Sequence, residues 1–347
     1  MKQRYSFYKS ILALAIVGIF PFASLEACTG IKLKAKDNSI VTGRTLEFGV
    51  EVATSIAIIP RGYEFVGTTP AGPGLKYTAK YATIGCITAD DLNILDGMNE
   101  KGLVVGTFYF PGYANYPKTT PENQSKGLSP VDFPNWIVTQ FATLEEVKAA
   151  LASVFIAPTV TKEWGPTPAP FHYIVYDKEG NSLVIEPLNE KFVTYDNPLG
   201  TFTNSPTFDW HTTNLRNFIN LTPINAKPIS FDGVQYAPFD QGSGMVGLPG
   251  DFTPPSRFVR AAIYSMTAVP SKNAEETVFQ VFHILNQFDI PVGAARQVVD
   301  GVVYSDYTIA TCVKDPQSLK YYMKTYNDQT INVRSEERRV GKECLRL

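Results

Sequence analysis

From residue 28 onward, apolar residues fall in short runs bounded by clusters of turn formers, and most runs read as strands. Cys28 to Lys36 alternates in places and stops at Asp37-Asn38-Ser39, a turn cluster. Ser39 to Phe48 reads as the second strand of a hairpin, which would bring Arg44 and Glu47 back beside Cys28. Thr54 to Pro60 and Tyr77 to Ile87 are further apolar strands. Asn93 to Phe110 reads strand, turn, strand, with Gly102 able to supply the positive φ of its turn. Tyr109 lies near the end of the second of these strands. Gly112 to Gly127, rich in proline and polar residues, reads as a long surface loop.

The pattern becomes helical over Pro134 to Val154, as two short helices. Thr143-Leu144-Glu145-Glu146 is a capping-box signature ahead of Val147, Ala150 and Leu151. After the proline-rich stretch Ala157 to Pro170, strands return at Phe171 to Tyr176, Ser182 to Glu186 and Lys191 to Tyr195. Phe202-Thr203-Asn204-Ser205-Pro206 ends a strand at a turn. Helices are predicted over Phe208 to Ile219, over Ser256 to Met266 with Ser256 as N-cap, and over Ala274 to Phe288 capped by Asn273. Tyr304 to Val313 and Leu319 to Tyr326 close the chain with strands. Antiparallel hairpins with segregated helices predict an α+β layered fold. No linker stands out, so one domain is expected.

Both ends break the pattern. Lys2, Arg4 and Lys9 precede the apolar run Ile11 to Ala23, which is short for a membrane span and reads as an export signal, residues 1–27, cut after Ala27. Leu25-Glu26-Ala27-Cys28 also resembles a lipoprotein box, in which Cys28 would be acylated, although Glu26 fits it poorly. The expectation is therefore an exported protein, periplasmic or secreted, with a lipid anchor at Cys28 as the alternative. At the other end Ser335-Glu336-Glu337-Arg338-Arg339 opens a dense charge run that also holds Cys344. Residues 335–347 are expected to be a disordered or non-native tail, leaving 28–334 as the folded domain.

Composition narrows the function. The formal net charge is -2 with no basic stripe, which argues against a nucleic-acid partner. Cys28, Cys86, Cys312 and Cys344 form no CxxC pair, and His172, His211 and His283 form no HExxH, so neither metal nor other cofactor is expected. Cleavage after Ala27 would give Cys28 a thiol and a free α-amine in one residue. A thiol titrates near ~8.5 and an α-amine near ~7.7–8.0, so the amine can serve as base close to neutral pH. That pair is a nucleophile that needs no histidine.

Six motifs in order carry a resemblance. They are Cys28-Thr29-Gly30, Gly43-Arg44-Thr45-Leu46-Glu47-Phe48, Asp96-Gly97-Met98-Asn99-Glu100-Lys101-Gly102-Leu103 and Thr203-Asn204-Ser205-Pro206, followed by Asp209-Trp210-His211-Thr212-Thr213-Asn214-Leu215-Arg216 and Gly247-Leu248-Pro249-Gly250-Asp251-Phe252-Thr253-Pro254-Pro255-Ser256-Arg257-Phe258. Over about Cys28 to Asp328 the chain resembles the choloylglycine hydrolase family, the group of penicillin V acylases and conjugated bile-salt hydrolases. The resemblance implies an N-terminal-nucleophile hydrolase, a four-layer αββα sandwich of two antiparallel sheets. It implies Cys28 as nucleophile, Arg44 beside it and Arg257 as the second active-site arginine. Asn204 falls at one oxyanion donor and Tyr109 at the other, where penicillin acylases often have Tyr and bile-salt hydrolases often Asn. Glu47 falls where the family commonly has an Asp bound to the α-amine, one methylene shorter.

The expected partner is a small N-acyl amide, hydrolysed through an acyl-enzyme. Tyr109 tilts the choice to penicillin V-like substrates, with bile salts and N-acyl homoserine lactones as alternatives. The resemblance also implies a homotetramer. The rival from another class is a lipidated binding protein anchored at Cys28. Taken singly, Arg44 and Arg257 would be ion-pair residues, Asn204 a turn former and Tyr109 core packing. The three histidines are expected to be structural, and Trp164 and Trp210 to be core or loop packing.

Overall fold

The first two strands form the expected hairpin: β1 (Thr29–Lys34) and β2 (Ile40–Phe48) pair antiparallel, with Gly30 opposite Arg44. The polar cluster closes it, because the Asp37 carboxylate accepts from the Ser39 N–H at 3.0 Å and the Ser39 hydroxyl at 2.6 Å, and Asn38 takes φ 71°. The computed structural model describes residues 27–49, 54–88, 92–161, 164–299, 301–335 and 345–346. Residues 1–26 of the predicted leader, and Cys344 with most of the predicted tail, lie outside the described residues.

The chain continues through β3 (Thr54–Ile59), β4 (Glu64–Thr69), β5 (Gly72–Thr78), β6 (Thr83–Thr88), β7 (Ile94–Asn99), β8 (Val104–Tyr109) and the short β9 (Gly127–Leu128). Helices α1 (Asp132–Gln140) and α2 (Leu144–Ala150) lead to β10 (Phe155–Ile156), β11 (Phe171–Tyr176), β12 (Ser182–Leu188) and β13 (Lys191–Asp196). Then come α3 (Phe208–Leu215), the hairpin β14 (Ile229–Phe231) and β15 (Val234–Tyr236), α4 (Pro254–Thr267) and α5 (Ala274–Leu285). The last strands are β16 (Ala295–Val299), β17 (Val302–Asp315), β18 (Lys320–Thr325), β19 (Asn332–Ser335) and β20 (Leu345–Arg346).

Two large antiparallel sheets result. One has 6 strands in the order β1-β2-β17-β18-β19 with β16 also on β17, and the other has 8 in the order β13-β12-β11-β8-β7-β6-β3-β20. Three apolar clusters separate four layers. Leu46, Phe48, Met98, Val104, Phe108 and Ala310 fill the space between the sheets. Ile31, Val41, Val281 and Leu285 seal α4 and α5 onto the six-stranded sheet, and Val105, Phe133, Ile137 and Tyr173 seal α1 onto the other. Gly43 sets how closely α5 lies: a Cβ there would come within 2.5 Å of Val281 and 2.9 Å of Leu285. The architecture is the predicted αββα sandwich.

Some elements differ from the sequence reading. The hairpin β4–β5 was not anticipated, and the predicted strand Tyr77 to Ile87 is interrupted between β5 and β6. There Ala79 N–H turns to Tyr63 O at 2.8 Å, and Lys80 and Tyr81 N–H both turn to Thr139 O at the end of α1. Helix α4 starts at Pro254 rather than Ser256, since Pro254 and Pro255 fit the first turn, where no N–H partner is needed. Asn273 caps α5 as predicted, its Oδ1 accepting from Glu276 N at 3.0 Å. Order also runs beyond Asp328: β19 pairs with β18 through Ser335, and Leu345 and Arg346 pair with Ile58 and Ala57 of β3.

One polar cluster ties the two sheets together. Lys314 of β17 donates to both carboxylate oxygens of Asp96 on β7, at 2.7 and 2.8 Å, and the Tyr321 hydroxyl donates to the same group at 2.7 Å. Lys314 and Asp96 are both buried, so each depends on the other. Lys314→Met leaves the Asp96 charge unpaired and is expected to lower unfolding free energy by about 3–5 kcal/mol, while Lys314→Met with Asp96→Leu costs less than Lys314→Met alone. Urea unfolding of both variants checks the ordering.

Candidate active site

Cys28 immediately precedes β1, buried in the space between the sheets. Its nitrogen is here a peptide N–H joined to Ala27, and it stands in for the α-amine that cleavage would release. That N–H donates to Asn204 Oδ1 at 2.7 Å. Asn204 reaches the site because the chain at Phe202 forms a single antiparallel bridge with Gly30, with N–H···O distances of 2.7 and 3.0 Å.

The Asn204 amide is a hub. Its Oδ1 also accepts from Arg257 Nη2 at 2.8 Å, and its Nδ2 donates to Tyr109 O at 2.9 Å. Two donors on one side and a carbonyl on the other fix which way the amide faces. Arg257, in the first turns of α4, further donates to Cys28 O, to Thr29 Oγ1 at 2.9 Å and to Phe252 O at 2.8 Å. Asp251 accepts from Thr253 and from Ser256 Oγ, which orders the chain entering that helix.

Alternation along β2 sends Arg44 and Glu47 to opposite faces of the sheet. Arg44 enters the space between the sheets. Its Nη1 donates to Leu95 O at 3.2 Å and Thr107 O at 2.5 Å, its Nε to Thr45 O at 3.2 Å, and its guanidinium lies 4.0 Å over the Phe108 ring. Arg44 Nη2 is buried with no hydrogen-bond partner. Burial opposes the Arg44 charge, but Cys28, Asp96 and other neighbours outweigh it and hold its pKa above the ordinary value.

Glu47 faces the helical layer. Its Oε1 accepts from Thr308 Oγ1 at 3.1 Å, and Oε2 is buried without a partner. Burial pushes its carboxyl up to about 8, against the pull of Arg257, the Thr45 hydroxyl and Arg44. Burial likewise lowers the Arg257 pKa, against the opposing charges of Glu47 and Cys28.

The structure thus brings Cys28, Arg44, Asn204 and Arg257 together, with Glu47 beside Arg257. Tyr109 joins them through its backbone: its carbonyl holds Asn204, while its ring packs edge-on to Phe171 at 6.4 Å in the cluster under α1. Sequence reasoning did not single out Thr308, Phe108 or Asp306, a buried carboxyl near Arg257 whose pKa burial raises to about 7. It also left His172 and His211 as structural, although His211 stands inside a quoted motif. Among the described residues, no group of three His, Cys, Asp or Glu side chains could hold a metal ion.

A buried thiol with two guanidinium groups and a fixed amide nearby is suited to attack on a carbonyl carbon. With two antiparallel sheets between helical layers, and a cysteine opening the first strand, the fold is that of the N-terminal-nucleophile hydrolases. The chain belongs to the choloylglycine hydrolase family of linear amide C–N hydrolases, which it matches over residues 28–338. It is 34% identical over 307 residues to a bile salt hydrolase/transferase of Clostridium perfringens, covering 88% of this chain and 91% of that protein. It is 27% identical to a penicillin V acylase of Pectobacterium atrosepticum, covering 94% and 85%. Among solved structures, a variant of the Clostridium perfringens conjugated bile acid hydrolase matches with a TM-score of 0.82 at 33% identity, covering 92% of this chain and 96% of that one. The penicillin V acylase of Agrobacterium tumefaciens gives 0.70 at 26% identity, covering 88% and 84%.

The raised carboxyls give stability a defined pH dependence. Glu47 is protonated in the folded chain up to about 8, against 4.5 as its ordinary value. Between those pH values the folded state holds more protons than the unfolded one, so this contribution is full below the lower value and lost as pH rises to the upper. In the uncut chain, where the Cys28 nitrogen is a neutral amide, Glu47→Gln is expected to flatten the fall in stability between pH 5 and 8, by at most about 1.4 kcal/mol per pH unit. Denaturant midpoints across that range measure it.

Proposed function

We propose that the protein is an exported cysteine amidase, cut after Ala27, that hydrolyses an N-acyl amide through an acyl-enzyme on Cys28. What carries the reading is the bond from the Cys28 nitrogen to Asn204 Oδ1, with Arg257 on the same oxygen and Tyr109 O on the amide nitrogen. The α-amine takes the thiol proton, and sulfur attacks the carbonyl carbon. Asn204 Nδ2 has two N–H bonds; one is used on Tyr109 O, and the second is assigned to the oxyanion, with the Tyr109 backbone N–H as the other donor that the family resemblance implies. Collapse of the tetrahedral adduct breaks the C–N bond, and the ammonium gives its proton to the leaving amine. Water then cleaves the thioester, releasing acid and thiol. Arg44 and Arg257 favour thiolate by charge. Glu47 Oε2, a buried acceptor without a partner, is assigned to the α-ammonium.

Conjugated bile salts are the substrate class to test first, because the bile salt hydrolase relative is the more similar in sequence and shape. Penicillin V is the second reading, by similarity to the penicillin V acylases, with N-acyl homoserine lactones as a third. The site of Tyr109 favours no acyl group through its ring, which lies in the core beneath α1.

A panel of glycine- and taurine-conjugated bile salts, penicillin V and acyl homoserine lactones is expected to give amide hydrolysis by the mature chain. Cys28→Ala should lower the rate about a thousandfold or more; an unaltered rate rejects the mechanism. Mass spectrometry of the mature N-terminus should find an unmodified Cys28, whereas a diacylglyceryl cysteine supports the membrane-anchored binding protein.

The homotetramer implied by the family resemblance finds support in the arm that carries β14 and β15. Ile229, Phe231, Val234, Tyr236 and Phe239 on this arm are all exposed, an apolar surface of the kind that another copy would cover. Light scattering is expected to give a tetramer mass, and Phe231→Ser with Phe239→Ser a smaller one.

A further inference from the structure

Among the described residues, the segment that carries Asn204 joins the sheet through one bridge, at Phe202. Its next two carbonyls each meet an imidazole. His172 Nε2 lies 2.9 Å from Thr203 O, and His211 Nε2 lies 2.9 Å from Asn204 O. A carbonyl oxygen only accepts, so both Nε2 atoms carry a proton. His172 stands on β11 and His211 on α3, and both are buried. Two separate elements therefore grip successive residues of the segment.

Each imidazole is itself fixed. His172 stacks on Phe110 at 4.1 Å and packs against Phe202 at 4.3 Å. Its Nδ1 is 3.2 Å from Glu186 Oε1, which also accepts from Phe208 N at 2.9 Å, at the start of α3. One carboxyl thus ties β12 and β11 to the helix that carries His211. His211 stacks on Phe258 at 4.7 Å and 15°, and Phe258 follows Arg257 in α4. The same rings that steady Asn204 therefore also register it against its Arg257 partner.

Burial keeps these groups neutral. It lowers His211 to about 4 and His172 well below 6.5, and it raises Glu186 to about 8. Asp209, His172 and Arg257 are the charged or titratable neighbours of His211, and Arg44 adds to the lowering at His172. With Nε2–H turned to Thr203, neutral His172 presents a bare Nδ1, to which protonated Glu186 donates.

We infer that His172 and His211 are positioning residues, which hold the Asn204 amide at the Cys28 nitrogen by gripping the carbonyls of Thr203 and Asn204. The effect on turnover rests on the amidase reading above; the effect on Cys28 itself does not.

The test compares His211→Phe, which keeps the ring stack and deletes the donor, with His211→Gln, whose amide N–H falls near the Nε2 position. In His211→Phe, kcat is expected to fall about ten- to a hundredfold with KM within about threefold, and His211→Gln should return kcat to within about threefold of wild type. In an Asn204→Ala background, His211→Phe should change kcat by less than about twofold, since both act through one amide. Alkylation of Cys28 by iodoacetamide, followed on the Cys28 peptide by mass spectrometry, makes the comparison without substrate. There His211→Phe, Asn204→Ala and the double variant should share one rate, differing from wild type by about threefold or more. A wild-type alkylation rate in His211→Phe, or additive effects with Asn204→Ala, overturns the inference. The shared rate without turnover of any amide upholds the inference and counts against the amidase reading alone. His172→Phe, read in the same way, decides the matter if His211→Phe does not fold.

Discussion

Two guanidinium groups are buried on either side of one sheet, and the site is built around the acceptors they draw in. An unpaired buried charge is among the most expensive features a fold can carry. A guanidinium tolerates such a place because it stays charged and offers five N–H donors in a fixed plane. Arg44 draws carbonyls from the opposite sheet, at Leu95 and Thr107, and lies over Phe108. Arg257 draws Cys28 O, Thr29 Oγ1, Phe252 O and Asn204 Oδ1. Once Arg257 claims that oxygen, the orientation of the Asn204 amide follows, and its nitrogen must find an acceptor in Tyr109 O. The geometry at Cys28 is therefore a by-product of solvating two cations with protein atoms.

What the structure places around Cys28 is two guanidinium groups and an amide. Both nearby histidines point Nε2 at backbone carbonyls. The charge near sulfur comes from permanent cations, whose protonation does not vary over the working pH range. What does vary is the set of buried carboxyls, Glu47, Glu186 and Asp306, all raised by burial. Titration around the site thus resides in acids rather than in imidazoles.

Much of this was legible in the sequence wherever the signal was local. The hairpin that returns Arg44 to Cys28 follows from one turn cluster between two apolar runs. The Asn273 cap follows from a single side chain and its neighbours. Asn204 was found through a motif. The misses share a physical cause. The β4–β5 hairpin and the break after β5 depend on which distant carbonyls capture Ala79, Lys80 and Tyr81, and no local pattern records that. Tyr109 contributes a carbonyl, which every residue possesses, so its bond to Asn204 could not be read from its side chain. His172 and His211 read as structural in the sequence, and their bonds to the Thr203 and Asn204 carbonyls depend on the tertiary fold, which no local pattern records.

Ala27 is nearly as inaccessible as the cysteine that follows it. A peptidase active site needs several residues of extended chain around the bond it cuts, and in the folded chain both residues of this bond are buried. If the chain is cut after Ala27, as proposed, an external peptidase must reach this bond before the two sheets close over it. Leader removal would then be a question of timing, a race between cleavage and folding. Chains that fold first would keep their cysteine nitrogen locked as an amide.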